Sequence, residues 1–204
     1  MTMTDSCGML SHIYKGERRD LIASVLFMFP VLREILLFLG CVDADSKTAK
    51  YNLSKGRSLL IYIGGEKEQL MTTPGEQKIY VKNRKGFIKL ALQYGAHLVP
   101  MYAFGENECY HVSKAFMGLR LWLQENLRLG IPLVWGRLAA PLVPLKVPIT
   151  VEIGEPIAVE KKAVEDISSA DIDALHSKFI EGMVKLFDKT KAKHGCKDAK
   201  LHIF

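Results

Sequence analysis

The chain has 204 residues, 49% hydrophobic and 25% charged, with a formal net charge of +6. That length suits one domain able to bury a core, and that balance excludes a globally disordered polypeptide. The positive charge favours anionic partners, but lysine and arginine are scattered rather than blocked, so no nucleic-acid footprint is indicated.

Cys7, Cys41, Cys109 and Cys196 are far apart and form no CxxC pair. They read as reduced thiols rather than a disulfide frame or a zinc site, and no metal is expected. Met1–Arg19 is polar and has no apolar stretch of the kind a secretory signal needs. Leu21–Leu39 is nearly long enough to span a bilayer, but Arg33 and Glu34 fall inside it and Pro30 interrupts it. Each charge costs roughly 2.5–3.5 kcal/mol at mid-bilayer. The segment therefore reads as two apolar helical pieces that pack on a core or lie on a membrane surface.

Further along, Asp45 or Ser46 is placed to cap a short helix through Leu53 that stops at Gly56. Ser58–Ile63 is an apolar run closed by Gly64-Gly65, the pattern of a buried parallel strand. A short strand is expected over Ile79–Val81. Asn83 then caps a helix whose apolar residues Phe87, Leu90, Ala91 and Tyr94 share one face, and Gly95 ends it. His97–Phe104 reads as a strand, with Pro100 implying a bulge or an edge. Lys114–Leu129 has the spacing of an amphipathic helix, and Gly130–Pro148 is a Pro/Gly-punctuated break. Ile149–Ile153 is a further strand. A long helix over Ala170–His194 carries Ile172, Leu175, Phe179, Met183, Leu186 and Phe187 on one face.

Strands alternating with helices predict an α/β fold with a mixed or mostly parallel sheet flanked by helices. In such folds ligands bind beyond the carboxyl ends of the strands. Three polar clusters are expected there: Gly64–Glu68, Gly105–Asn107 and Gly154–Pro156. Gly64 and Gly65 let the backbone approach a ligand, and Glu68 is available to bond a hydroxyl; the alternative is a tight turn with solvated acids. Arg84-Lys85-Gly86 sits at a helix start, where positive charge opposes the helix dipole unless an anion or a carboxylate answers it. Glu106 and Asn107 form either a hydrogen-bonded turn or the edge of a site. No GxSxG elbow, HExxH helix or nucleotide loop is present. No histidine is followed by an acid at a spacing that makes an obvious dyad. His111, just after the Glu106–Glu108 loop, is the nearest stand-in for a catalytic base.

Several blocks coincide in order: Phe29-Pro30-Val31-Leu32-Arg33-Glu34, Gly64-Gly65-x-x-Glu68-x-Leu70, Asn83-Arg84-Lys85-Gly86-Phe87, Gly95-Ala96-x-Leu98-Val99-Pro100, Phe104-Gly105-Glu106-Asn107, Gly154-Glu155-Pro156-Ile157 and Leu186-Phe187-Asp188-Lys189. Together they resemble the type 2 diacylglycerol acyltransferase family, which includes monoacylglycerol and wax-alcohol acyltransferases. The resemblance implies a glycerolipid-acyltransferase-like fold. It also implies an acyl-CoA-dependent O-acyltransferase acting on diacylglycerol or a related lipid alcohol, with no cofactor beyond acyl-CoA as co-substrate. The implied setting is the cytosolic face of the endoplasmic reticulum membrane and lipid droplets, with a homo-oligomer or a full-length homologue as a partner. By the same resemblance Gly64, Gly65, Glu68, Arg84, Lys85, Gly86, Phe87, Glu106 and Asn107 bind substrate or acyl-CoA.

The family's catalytic histidine lies in a His-Pro-His-Gly motif upstream of the Pro-Val-Leu-Arg-Glu block, and this chain has no such motif. The expectation is a polar lead-in over 1–20, an N-terminally truncated acyltransferase-like domain over 21–195 and a tail over 196–204. Transfer by the chain as it stands is expected to be impaired or absent. The alternative is a non-catalytic lipid- or acyl-CoA-binding subunit.

Overall fold

The computed structural model describes residues 17–127, 133–137 and 143–204. The expected lead-in, up to residue 16, and parts of the Gly130–Pro148 break lie outside the described residues. The chain divides into two compact units, Met1–Ile63 and Gly64–Phe204.

In the first unit, strand β1 (Arg18–Ile22) lies between β2 (Cys41–Asp43) and β3 (Ser58–Ile61), and both pairings are parallel. Leu21 therefore opens no helix; it belongs to the central strand and is buried. The remainder of the apolar Leu21–Leu39 segment forms a 3-10 turn, Ser24–Met28, and helix α1, Pro30–Phe38. Pro30 occupies the first helical position, where its missing N–H costs nothing. Among the described residues no helix is long and apolar enough to cross a membrane. Helix α2 (Ser46–Ser54) starts at Asp45, whose carboxylate accepts the Thr48 N–H at 2.6 Å, as the capping pattern predicts. A buried Arg18–Asp20 ion pair at 2.9 Å sits on β1.

The second unit holds three strand pairs. Parallel β4 (Lys78–Ile79) and β9 (His202–Ile203) bring residues 202–203 beside residues 78–79, and Phe204 N–H donates to the Ile79 carbonyl at 3.0 Å. β5 (Met101–Phe104) and β8 (Thr150–Ile153) are antiparallel, as are β6 (His111–Val112) and β7 (Val134–Trp135). The fold class is thus mixed α/β, with parallel pairing in the first unit and chiefly antiparallel pairing in the second.

Helices α3 (Gly65–Met71), α4 (Gly86–Tyr94), α5 (Met117–Leu127) and α6 (Ser169–Thr190) complete the second unit, and a 3-10 turn, Lys191–His194, extends α6. Helix α6 carries a full capping box: Ser168 Oγ accepts the Asp171 N–H and Asp171 accepts the Ser168 N–H. Its face, led by Leu175, Phe179, Met183, Leu186 and Phe187, is buried. Phe187 has no exposed surface and packs on Tyr102 and Phe104 of β5, with ring centroids 5.2 and 5.6 Å away. Gly154 and Gly182 both abut Pro100, and a Cβ on either would meet that proline at 3.3 Å.

Three expectations change. Gly64-Gly65 begins a helix rather than a tight turn with solvated acids: Gly65 takes a φ of +58° that favours glycine, and Glu66 and Glu68 in the first turn favour the helix dipole. Asn83 does not cap α4; Lys85 holds that position and gives no side-chain cap. The strand read over His97–Phe104 shortens to Met101–Phe104, preceded by an isolated bridge from Leu98 to Ile157. Pro100 has no N–H to give, so the ladder begins after it.

Candidate functional site

The side chain of Glu68 folds back over Gly64, so closely that a Cβ at Gly64 would collide with it. Gly64 has an ordinary helical φ of −66°, so it is this approach, not its backbone angle, that demands glycine. The Glu68 carboxylate accepts the Tyr80 N–H at 2.5 Å. Burial raises its pKa above the usual carboxylate range; the Tyr80 bond opposes that shift and the charge of Glu106 adds to it.

Glu106 lies in a 3-10 turn, Glu106–Glu108, that follows β5 through Gly105 at φ +86°. Its side chain is exposed, and the desolvation that remains at its carboxyl raises its pKa. Tyr102 connects the two acids. Its hydroxyl donates to Gln77 Oε1 at 2.6 Å, and its pKa is pushed up by burial first and then by the charges of Glu68, Cys196 and Glu106. Glu68 and Glu106 thus lie close enough for the charge of one to act on the other and for both to act on the Tyr102 phenol.

The turn that carries Glu106 is tied down by its own polar groups. Asn107 Nδ2 donates to the Glu76 carbonyl at 2.9 Å, and Glu108 accepts the Gly75 N–H at 2.7 Å. Asn107 thus works as a loop tie, the turn reading rather than the site-edge reading for that residue.

The basic block separates into two roles. Arg84 lies over the Tyr80 ring, 5.4 Å from its centroid, and Lys67 of α3 lies 5.2 Å from the same centroid. Lys67 also reaches Glu125 at 3.8 Å, too far for a firm hydrogen bond. Lys85 instead pairs with Asp173 of α6 at 2.6 Å, so a carboxylate answers its charge at the start of α4. Gly86 opens α4, with open space where a Cβ would stand. Phe87 packs edge-on against Phe179 at 5.0 Å and faces His176 at 6.4 Å, inside the α4–α6 contact.

Glu68, Tyr80 and Arg84 are therefore one neighbourhood, and the charges of Glu68 and Glu106 both reach Tyr102. Gly154 is not part of it. Because β8 runs antiparallel to β5, Gly154 lies at the Pro100 end of that pair while Gly105 lies at the other end. The expected convergence of three strand ends reduces to two. His111 sits exposed on β6 with its ring 5.8 Å from Trp135. The free thiols Cys41 and Cys109 are buried, and no group of three or more metal-ligating side chains occurs among the described residues. Tyr102, Gln77 and Lys67 escaped the sequence reading. Tyr102 alternating with Phe104 on one strand face was the available signal, but nothing in the chain links positions 77 and 102.

The family model described as "Diacylglycerol acyltransferase" matches residues 1–204. The chain belongs to the diacylglycerol acyltransferase family. It is 40% identical over 187 residues to Diacylglycerol O-acyltransferase 2 of Homo sapiens, covering 83% of this chain and 46% of that protein. The corresponding protein of Mus musculus is 41% identical over 187 residues, with the same coverage. Diacylglycerol O-acyltransferase 1 of Saccharomyces cerevisiae is 35% identical over 211 residues, covering 98% of this chain and 50% of that protein. The chain spans about half the length of the curated relatives it matches. No solved structure matches it significantly.

Proposed function

We propose that the chain forms the substrate-binding part of an acyl-CoA-dependent O-acyltransferase of neutral lipid synthesis, with diacylglycerol to triacylglycerol as the reaction that fits best. The observation that carries this reading is the grouping of Glu68, Arg84 and Lys67 around Tyr80, with the charges of Glu68 and Glu106 both reaching Tyr102, in one compact unit. Its relatives at 35–41% identity are named for acylation of diacylglycerol. Arg84 and Lys67 supply positive charge for the phosphates of CoA. Glu68 and Glu106 accept a hydrogen bond from the acceptor hydroxyl. No cofactor beyond acyl-CoA is required for this chemistry. The exposed apolar residues of α1 support attachment to a membrane surface, with the endoplasmic reticulum and lipid droplets as the setting. The chain contains no His-Pro-His-Gly, so transfer by residues 1–204 alone is impaired or absent.

The test is equilibrium binding of a fluorescent long-chain acyl-CoA to the purified chain, together with transfer to diacylglycerol in mixed micelles. The expected result is saturable binding that weakens about tenfold, or about 1.4 kcal/mol, in Arg84→Ala and again in Lys67→Ala. Absence of saturable acyl-CoA binding would overturn the reading.

A further inference from the structure

Residues 77–80 sit at the centre of the candidate site. Gln77 Oε1 accepts the Tyr102 hydroxyl at 2.6 Å, the Tyr80 N–H donates to Glu68 at 2.5 Å, and the Tyr80 ring faces Lys67 and Arg84. Yet β4, the strand in this stretch, is two residues long, too short to fix its own register. The stretch is anchored on either side. Glu108 and Asn107 bond Gly75 and Glu76, and the Val81 carbonyl meets the buried His176 Nε2 at 3.1 Å. Between those ties, among the described residues, β4 pairs with β9 alone. His202 N–H donates to the Gln77 carbonyl at 2.8 Å and Phe204 N–H to the Ile79 carbonyl at 3.0 Å. Lys82 N–H donates in return to the Phe204 carbonyl at 2.7 Å, so the bonds bracket Tyr80 on both sides. The end of α6 aims β9 at this stretch. The chain reverses at Gly195, φ +74°, and Lys191 Nζ, paired with Asp188 at 2.7 Å, donates to the Ala199 carbonyl at 3.0 Å. His202 and Phe204 are exposed and alternate with half-buried Leu201 and Ile203, so these two residues grip β4 by backbone rather than side chain.

We propose that β9 is a positioning strand for acyl-CoA binding: it fixes the backbone of residues 77–80 and through it the Tyr80 face. The inference rests on the acyltransferase reading above, which gives Arg84 and Lys67 the phosphates of CoA. Both cations lie within about 6 Å of the Tyr80 centroid, the range in which a ring attracts a cation, so the ring sets where their charges stand. A ring on a loosely held backbone does not keep two cations in one arrangement. The ligand then has to order the stretch as it binds, and that cost comes out of its affinity. With β9 in place the ordering is done during folding. Residues 202–204 act only through β4, so their part is to position Tyr80, not to touch the ligand.

The experiment uses the full 204-residue chain and compares His202→Pro with His202→Ala. Proline removes the N–H that bonds Gln77, whereas alanine removes only the exposed imidazole and keeps that donor. Two quantities are read: the Kd for oleoyl-CoA and the hydrogen exchange of individual amides. In His202→Pro the Kd should rise about fivefold or more, and the Tyr80 amide should exchange about tenfold faster or more, with the α6 amides still protected. In His202→Ala both quantities should stay within about twofold of the parent chain. Phe204→Pro, which removes the donor to Ile79, should repeat the loss seen in His202→Pro. A smaller rise in Kd in His202→Pro overturns the proposal. An equal loss in His202→Ala also overturns it, because the imidazole and not the strand would then be what counts. Loss of protection at the α6 amides in His202→Pro overturns it as well, by making β9 part of the core. A parent chain that binds no acyl-CoA defeats the acyltransferase reading itself, while the exchange of the Tyr80 amide still shows whether β9 holds Tyr80.

Discussion

Helices α1 and α6 have the same kind of sequence and opposite fates. Both carry apolar side chains at helical spacing: Val31, Ile35 and Phe38 in α1, and Leu175, Phe179, Met183 and Phe187 in α6. The α6 face is buried against β5, β8 and α4, whereas α1 buries none of its residues and leaves Val31 76% and Phe38 69% exposed. An apolar stripe thus announces that a helix will lie against something, not what that something is. In α6 the partner is the chain's own sheet, and burial yields stability. In α1 the contacts are with the 3-10 turn Ser24–Met28 and β2, which leave Val31, Ile35 and Phe38 exposed, so that part of the stripe contributes little to folding and remains available for an interface.

The sharpest way to break this contrast is Phe187→Ala. The ring is fully buried between Tyr102 and Phe104, and its removal leaves a cavity in close-packed surroundings. The expected loss is about 3–5 kcal/mol, read from urea unfolding, and enough to unfold a marginal domain. A loss below about 1 kcal/mol would mean that α6 does not organise the core.

The start of α6 offers a smaller effect with a pH signature. Ser168→Ala removes one half of the capping box and should cost about 1 kcal/mol at neutral pH. Asp171, the other half, has its carboxyl held down to about 2 by the Lys162 ammonium first and then by the Ser168 N–H and hydroxyl. A folded pKa below the unfolded value stabilises the fold above the ordinary carboxylate range. That contribution fades as pH falls from about 4 towards about 2. The stability difference between the parent chain and Asp171→Asn should therefore be full at pH 7 and shrink across that window. A difference independent of pH would remove the carboxylate from the cap.

What could be read in the sequence was what is local. The Asp45 cap, the Gly95 stop at φ +66° and the buried face of α6 all follow from residues within a turn or two of each other. The Gly64–Glu68 block was legible as two glycines and an acid, though not the reason for Gly64, which is the fold-back of Glu68. Pairings across sequence were not legible. Whether β8 runs parallel or antiparallel to β5 decides where Gly154 goes, and neither strand's alternation encodes it. The Tyr102–Gln77 bond spans 25 residues and the His194–Glu152 bond 42, so neither leaves a spacing to find. His194 reads as the last residue of a long helix, because its helix-end position is local information and its carboxylate partner is not. Lys85 and Phe87 sit inside a block that reads as a binding motif, yet each is occupied by α6, through Asp173 and Phe179.

The smallest effect on stability belongs to α1 and carries the most about its role. Ile35→Ser combined with Phe38→Ser places two hydroxyls where the parent chain already shows apolar surface to solvent. Little burial is lost, so unfolding stability should change by less than about 0.5 kcal/mol. Attachment to a bilayer should respond quite differently, because each fully buried aromatic or aliphatic side chain contributes about 1.5–3 kcal/mol to partition out of water. Co-flotation with vesicles containing anionic lipid should fall at least tenfold in the double variant while the fold is kept. Vesicle binding equal to that of the parent chain would assign the exposed face of α1 to a protein partner, since its apolar surface would then have no part in holding the lipid.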